Sequence, residues 1–211
     1  MRDVEATRPT LRFRPPLTGG PTHYMVMEEE SPVAPLLLMS DGASLTGLHL
    51  LGGPRDVVPG PDWVYDREPF RHAVAELKAY FAGELTVFSG VLAPSGTTFQ
   101  LAVWAFLTDI PFGETRSYGD LARRLGKSGA SRAVGLANGR NPISIIIPCH
   151  RVIGADGSLT GYGGGLARKA WLLRHEATVR ARLRGFTIGD GHPGDDSVRE
   201  SDAGGEALTV K

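Results

Sequence analysis

The sequence predicts a mixed α/β chain of the α+β kind: an N-terminal antiparallel sheet carrying one helix, then a mostly helical C-terminal domain with a helix-turn-helix. Three observations carry this expectation. Short β-rich runs separated by turn signals fill the first part, a helical hydrophobic period follows them, and two short helical segments joined by a glycine-containing turn lie in the second part.

Residues 1–21 hold Pro9, Pro15, Pro16, Gly19 and Gly20 with no sustained period, and are expected to form a flexible leader. Strand character follows at His23 to Met27, Pro35 to Met39 and Ser44 to Leu51. These runs are separated by Ser31-Pro32 and by Ser40-Asp41-Gly42, a turn of the Asp-Gly type that closes hairpins. From Pro69, a favoured first helical residue, Phe70, Val74, Leu77 and Phe81 recur at spacings of four, three and four and stop before Gly83. One amphipathic helix is expected there, lying on the sheet. This N-terminal domain, 22–90, is expected to give way to a linker at 91–96, where Ala-Pro-Ser-Gly coincides with a change in charge balance.

The second domain is expected to span 97–185. Thr97 or Thr98 can cap a helix through Thr108, and Pro111-Phe112-Gly113 breaks the chain after it. Ser117-Tyr118-Gly119-Asp120 has the spacing of a capping box and opens a short helix to Gly126. The segment Ala130 to Arg140 then supplies the second helix of the helix-turn-helix, with small residues at Ala133, Ala137 and Gly139 between Arg132 and Arg140. Ile143 to Ile147 reads as a buried strand ended by Pro148. A glycine-rich loop from Gly154 to Gly165 precedes a last helix from Leu166 to Ala177. Residues 186–211, rich in Gly and Asp, are expected to be a disordered acidic tail.

No apolar run reaches the roughly 18 residues of a membrane helix, so integral membrane classes are excluded. The charged first residues, Met1 to Glu5, do not read as a signal peptide, and a cytoplasmic location is expected. The net charge of zero conceals a sorting by segment. Residues 97–185 carry 13 Lys and Arg against 5 Asp and Glu, whereas 1–96 carry 8 against 12 and 186–211 carry 2 against 6. A basic domain between acidic flanks is a footprint of a nucleic-acid binder, though a solvated basic face reads the same way. The single cysteine, Cys149, excludes an internal disulfide and every zinc site built from two thiolates.

A lone cysteine is ordinarily a small buried hydrophobe. Here it ends an apolar run at Pro148 and is followed by His150 and Arg151, and a base or cation beside a thiol raises the thiolate fraction. Neighbours in an extended strand face opposite sides, so His150 serves Cys149 only if the chain turns there or a water bridges them. Glu176 on the last helix is a candidate to orient the imidazole; its other reading is a surface ion pair with Arg174. His175 is a second candidate imidazole, diverging from Glu176 by about a hundred degrees on the helix.

Pro148-Cys149-His150-Arg151-Val152 resembles the active-site signature of the O6-alkylguanine-DNA alkyltransferases, the methylated-DNA–protein-cysteine methyltransferase family. The resemblance extends in order and spacing through Ile110 to Thr115, Ser117-Tyr118, Ser131 to Gly135, Asn141-Pro142, Tyr162 to Leu166 and Lys169 to Glu176. It is close over about 97–177, and it extends to the first domain only in size and strand pattern, where it implies a ribonuclease H-like fold.

The resemblance implies a single-turnover methyltransferase that repairs double-stranded DNA by direct damage reversal, as a monomer without a cofactor or metal. Cys149 would accept the alkyl group, His150 would be its base through water, Glu176 would orient His150, and Asn141 would brace the site. Tyr118 would stack near the flipped base and donate to its ring, and the carbonyls of Cys149 and Val152 would read its exocyclic amine. Tyr162 and Gly163 would flank the alkylated oxygen, Gly163 standing where the family often has Ser, with Lys169 nearby. Arg132 would fill the gap left in the duplex, with Ser131, Ala133, Gly135 and Arg140 in the minor groove.

The chemistry agrees with this implication. Displacement at a saturated carbon needs a thiolate and a stabilised leaving group but no oxyanion hole, and the thioether formed has no carbonyl to hydrolyse. The alternatives are a cysteine hydrolase, which leaves the basic domain without a purpose, and a non-catalytic alkylated-DNA sensor or regulator, a class that lacks the acceptor cysteine.

Overall fold

The computed structural model of the chain describes residues 11–29, 31–53 and 56–188. The expected acidic tail from 189 onward and the first ten residues of the leader lie outside them. A six-stranded mixed sheet organises the N-terminal part, in the order β1 (Leu11–Phe13), β6 (Gly90–Leu92), β4 (Leu45–Leu50), β3 (Leu36–Ser40), β2 (His23–Met27), β5 (Val64–Tyr65). Its centre is the antiparallel meander of β2, β3 and β4. Leu36, Leu37 and Leu38 are all fully buried, and since successive residues face opposite sides, both faces of β3 are covered.

The edges differ from the sequence expectation. β1 falls inside the stretch expected to be a flexible leader, and β6 overlaps the expected linker; the two pair in parallel, Leu11 opposite Gly90. The leader is pinned a second time at the Asp41 turn. Arg14 donates to both Asp41 carboxylate oxygens at 2.8 Å, and the same carboxylate accepts from the Ser44 amide at 2.9 Å and the Leu17 amide at 2.8 Å.

Helix α1 (Arg71–Ala82) follows a 3-10 turn, Glu68–Phe70, and packs Phe70, Leu77 and Tyr80 inward. It ends at Gly83, whose φ of 73° is the left-handed conformation that closes helices; a Cβ there would also lie 2.7 Å from Val179.

The second half is built on helices α2 (Thr98–Thr108), α3 (Tyr118–Arg124), α4 (Ser131–Gly139) and α5 (Leu166–Ile188), with the small parallel ladder β7 (Arg116–Ser117) and β8 (Val152–Ile153). Both N-terminal caps form reciprocally, Thr97 with Gln100 and Ser117 with Asp120. Helices α3 and α4 make the helix-turn-helix. It is docked on α2 by the buried Trp104, whose indole N–H donates to the Ala137 carbonyl at 2.9 Å. Helix α5 runs on past Ala177 to Ile188, longer than the sequence pattern implied.

The segment 143–147 is not a strand. Only Ile143 bridges to Leu48, extending the ladder of β4 beyond its short pairing with β6, and the chain then coils tightly. The Leu48 amide donates to Pro142 O at 2.8 Å, and the Ser144 amide to Leu48 O at 2.9 Å. The apolar run is buried as expected, but Pro142 and Pro148 lack the N–H groups that a ladder needs. This hook onto β4 places the following cysteine at the seam of the two halves. No helix among the described residues is long and apolar enough to cross a membrane.

Candidate active site

The approach to Cys149 is made of consecutive tight turns. The Ile146 amide bonds back to Ser144 O at 2.8 Å across Ile145, whose φ of 69° is rare for a β-branched residue and costs of order 1–3 kcal/mol. The Cys149 amide bonds back to Ile147 O at 2.8 Å across Pro148. The Asn141 side chain holds this coil from within: Nδ2 donates to Ile147 O at 2.8 Å, and Oδ1 accepts from the Ile143 amide at 3.0 Å. Cys149–Arg151 then form a 3-10 turn. The chain therefore does turn at the cysteine, and His150 swings toward α5.

His150 and Glu176 are fully buried, and Cys149 is only 4% exposed. His150 Nε2 lies 2.8 Å from Glu176 Oε1. Glu176 is not a surface partner of Arg174. Its two oxygens also accept from Arg151 Nε and Nη2 at 2.9 Å, from the Tyr80 hydroxyl at 2.9 Å and from the Gly113 amide at 2.9 Å. Burial by itself raises the carboxyl's pKa, but the hydrogen bond and charge of His150 and the charge of Arg151 outweigh it, so Glu176 is held well below the carboxylate range. An ionised carboxylate only accepts, so Nε2 of His150 carries the hydrogen and Nδ1 presents a lone pair. Nδ1 is buried without a partner among the described residues.

Burial also sets the protonation of the thiol and the imidazole. It depresses the pKa of His150 below the ordinary histidine value despite the opposing pull of Glu176, so the imidazole is neutral near pH 7. It raises that of the Cys149 thiol, against the lowering effects of Asn141 and of the Lys169 ammonium. The resting thiol is therefore protonated and needs a base, and a neutral imidazole in the next residue is suited to that task.

Lys169 is fully buried and donates to Val152 O at 2.6 Å and Thr160 O at 2.7 Å, tying the glycine loop to the cysteine turn. Cys149 O is engaged by Asn138 Nδ2 at 3.3 Å and by the Val152 amide. Tyr118, the first residue of α3, donates to Thr160 O at 3.1 Å, and its ring faces Gly135 of α4. Burial pushes the pKa of the Tyr162 hydroxyl well up, so it stays a proton donor. A groove of about 510 Å³ runs between α4 and the glycine loop, lined by Gly135, Leu136, Gly139, Arg140, Tyr162 and Gly163. Ser131 is half-buried at the start of α4. Arg132, Ala133 and Arg140 are exposed, and neither arginine has an ion-pair partner among the described residues.

Three participants escaped sequence reasoning. Tyr80 comes from the other domain with no local signal. Arg151 was legible as a cation beside the thiol but not as the counter-ion of Glu176. Leu136, 63% exposed on the groove wall, breaks the apolar-inward pattern of α4 and could have been noticed for that reason. His175 is not the imidazole of the site; its Nε2 donates to Tyr80 O at 2.8 Å.

Fold and site together define a two-domain protein with a lone thiol buried beside a helix-turn-helix. Residues 22–94 match the ribonuclease-like domain, and residues 98–178 the DNA-binding domain, of 6-O-methylguanine DNA methyltransferase. The chain belongs to that family. A methylated-DNA–protein-cysteine methyltransferase of Methanosarcina acetivorans is 52% identical over 149 residues, covering 71% of this chain and 96% of the relative. One from Mycobacterium bovis is 54% identical over 155 residues, covering 73% and 92%. The crystal structure of Mycobacterium tuberculosis OGT in complex with DNA superposes with a TM-score of 0.69 at 52% identity, over 74% of this chain and 94% of that one.

Proposed function

We propose that this protein repairs DNA by direct reversal: Cys149 takes the alkyl group from O6-alkylguanine in duplex DNA, once and irreversibly. The observation that carries this reading is the lone thiol itself. It is buried next in the chain to a neutral imidazole held by a buried carboxylate, and Tyr162, close enough to feel the thiol's charge, lines the groove along α4.

His150 takes the thiol proton at Nδ1 through a water, and Glu176 stabilises the imidazolium. The thiolate sulfur attacks the alkyl carbon, the C–O6 bond breaks, and its electron pair passes into the guanine ring. Tyr118 donates to that ring, Val152 O accepts from the exocyclic amine, and Tyr162 with the Gly163 backbone flanks the oxygen. The guanine anion then takes back a proton, the equivalent of the one His150 removed from the thiol, so the products are neutral guanine, a neutral His150 and a thioether on Cys149. Asn141 preserves the strained coil that presents the sulfur, and Lys169 favours the thiolate electrostatically. The protein works as a cytoplasmic monomer without a cofactor, and α4 enters the minor groove through Ser131, Ala133, Gly135 and Arg140. Arg132 fills the space of the extruded base and offsets an unstacking cost of a few kcal/mol.

Arg132→Ala separates DNA work from chemistry. It is expected to slow repair of O6-methylguanine in duplex DNA by about ten- to a hundred-fold, a loss of roughly 1.4 to 2.7 kcal/mol, with little effect on reaction with free O6-benzylguanine. Equal losses on both substrates would place Arg132 in the catalytic machinery or the fold.

The pH dependence has a definite sign. Protonated His150 cannot accept a proton, so reaction with O6-benzylguanine falls as pH drops. Burial depresses the imidazole, so the fall lies below the unperturbed histidine value of about 6.5 and not on it. Rates that halve at or above pH 6.5, in a profile measured to the acid limit of the fold, contradict the assignment of His150 as base.

A further inference from the structure

Glu176 Oε1 accepts from three side chains: His150 Nε2 at 2.8 Å, Arg151 Nη2 at 2.9 Å and the Tyr80 hydroxyl at 2.9 Å. The first two lie in the cysteine turn, but Tyr80 is on α1, in the other domain. Its placement is over-determined. The residue is fully buried, its carbonyl accepts from His175 Nε2, and its ring meets those of Phe81, Phe88, Phe112 and His175 at centroid distances of 5.3 to 5.9 Å. His175 is in turn stacked on Trp171 at 5.0 Å, with the ring planes 11° apart. An isolated packing tyrosine needs none of this aim toward one carboxylate oxygen.

We propose that Tyr80 is a positioning residue of the alkyl-transfer site, a role that rests on the alkyl-acceptor reading above: its hydroxyl fixes Glu176 Oε1 and sets how strongly that oxygen holds the His150 proton. A donor that shares an acceptor oxygen draws electron density from it, so each added hydrogen bond weakens the others. The groups facing the couple are Cys149, His150 and Arg151 from the turn, Lys169 and His175 from α5, Tyr162 from the glycine loop and Tyr80 from α1. Of the side chains bonded to Oε1, Tyr80 alone is neither charged nor part of the proton relay. Its hydroxyl can be removed without stranding a buried charge, and Phe keeps the ring contacts. The N-terminal domain thereby tunes the base of the C-terminal domain.

Two replacements at position 80 test this in the full chain. Tyr80→Phe frees Oε1 for His150, so the acid limb of the O6-benzylguanine reaction is expected to move up by about half a pH unit. That makes transfer about threefold slower at a pH on the limb, with the plateau within about twofold of wild type. Substitution of 3-fluorotyrosine, a stronger donor of nearly the same shape, is expected to move the limb down. The His150 ring resonances, titrated by NMR, should shift in the same two directions. If Tyr80→Phe fails to fold, the fluorotyrosine protein decides. A limb and a His150 titration unmoved by either replacement overturn the role of Tyr80. Absence of transfer by the wild type overturns the alkyl-acceptor reading instead, and the NMR titration then still decides whether Tyr80 governs His150.

Discussion

Cys149→Ser is expected to lose alkyl transfer completely while keeping the fold and binding undamaged duplex DNA within a few-fold of wild type. Sγ lies at the end of a coil held by backbone hydrogen bonds and by the Asn141 side chain, and a serine hydroxyl can keep the thiol's own hydrogen bond with Asn141. A serine hydroxyl has far too high a pKa for the His150 imidazole to ionise it in a buried site. The proposed binding surface is on α4, where Arg132 and Arg140 face solvent. Single-turnover assays with O6-methylguanine duplex and a fluorescence-anisotropy titration check the two halves. Residual methylation of the serine variant, or loss of DNA binding along with transfer, would mean that Cys149 is not the acceptor or that it organises the domain.

The second large effect is at Glu176. Reasoning from spacing alone suggests that Glu176→Gln keeps much of the geometry and removes only the charge. The structure gives a harsher expectation. Both carboxylate oxygens are filled by donors from Tyr80, His150, Arg151 and the Gly113 amide, so an amide nitrogen on either side faces another N–H or O–H. The Arg151 guanidinium is buried against Glu176 and loses its counter-ion. Breaking one side of a buried pair costs about 3–5 kcal/mol, or a Tm lowered by about 10 °C in a chain of this size. Transfer to O6-benzylguanine, read at a temperature where the variant is folded, should also be slower, because the imidazolium has lost its stabilising charge. A Glu176→Gln protein as stable and as fast as wild type would show that the carboxylate neither holds Arg151 nor assists His150.

What the sequence disclosed was local. The helix cap at Thr97 or Thr98, which falls on Thr97, the capping box at Ser117, the period from Phe70 to Phe81 and the Asp41 turn each depend on residues within a few positions, and all of them form. The ladder of β1 with β6 is only three residues long and joins positions 79 apart, so no periodicity announces it. Ile143 to Ile147 misled for a physical reason. An apolar β-branched run fits a buried strand, but the prolines at both ends and the Asn141 side chain turn it into a coil with a left-handed Ile145. The cysteine motif was legible because its residues are adjacent in the chain. The carboxylate cage was not, because Tyr80 and Gly113 lie 96 and 63 residues from Glu176, and Tyr80 reaches it only after the two domains close on each other. Gly113 shows how tightly the cage is packed within its own domain: its φ is 70°, and a Cβ there would lie 2.8 Å from Arg180, so the amide that reaches Glu176 has no room for a side chain.

The most direct test of the account is the intact mass of the wild-type protein before and after incubation with excess duplex containing a single O6-methylguanine. Stoichiometric gain of one methyl mass, mapped to the peptide that contains Cys149 and unchanged by further substrate, is the expected result. Repair that continues beyond one equivalent of protein, or a methyl group found on any other residue, would contradict it.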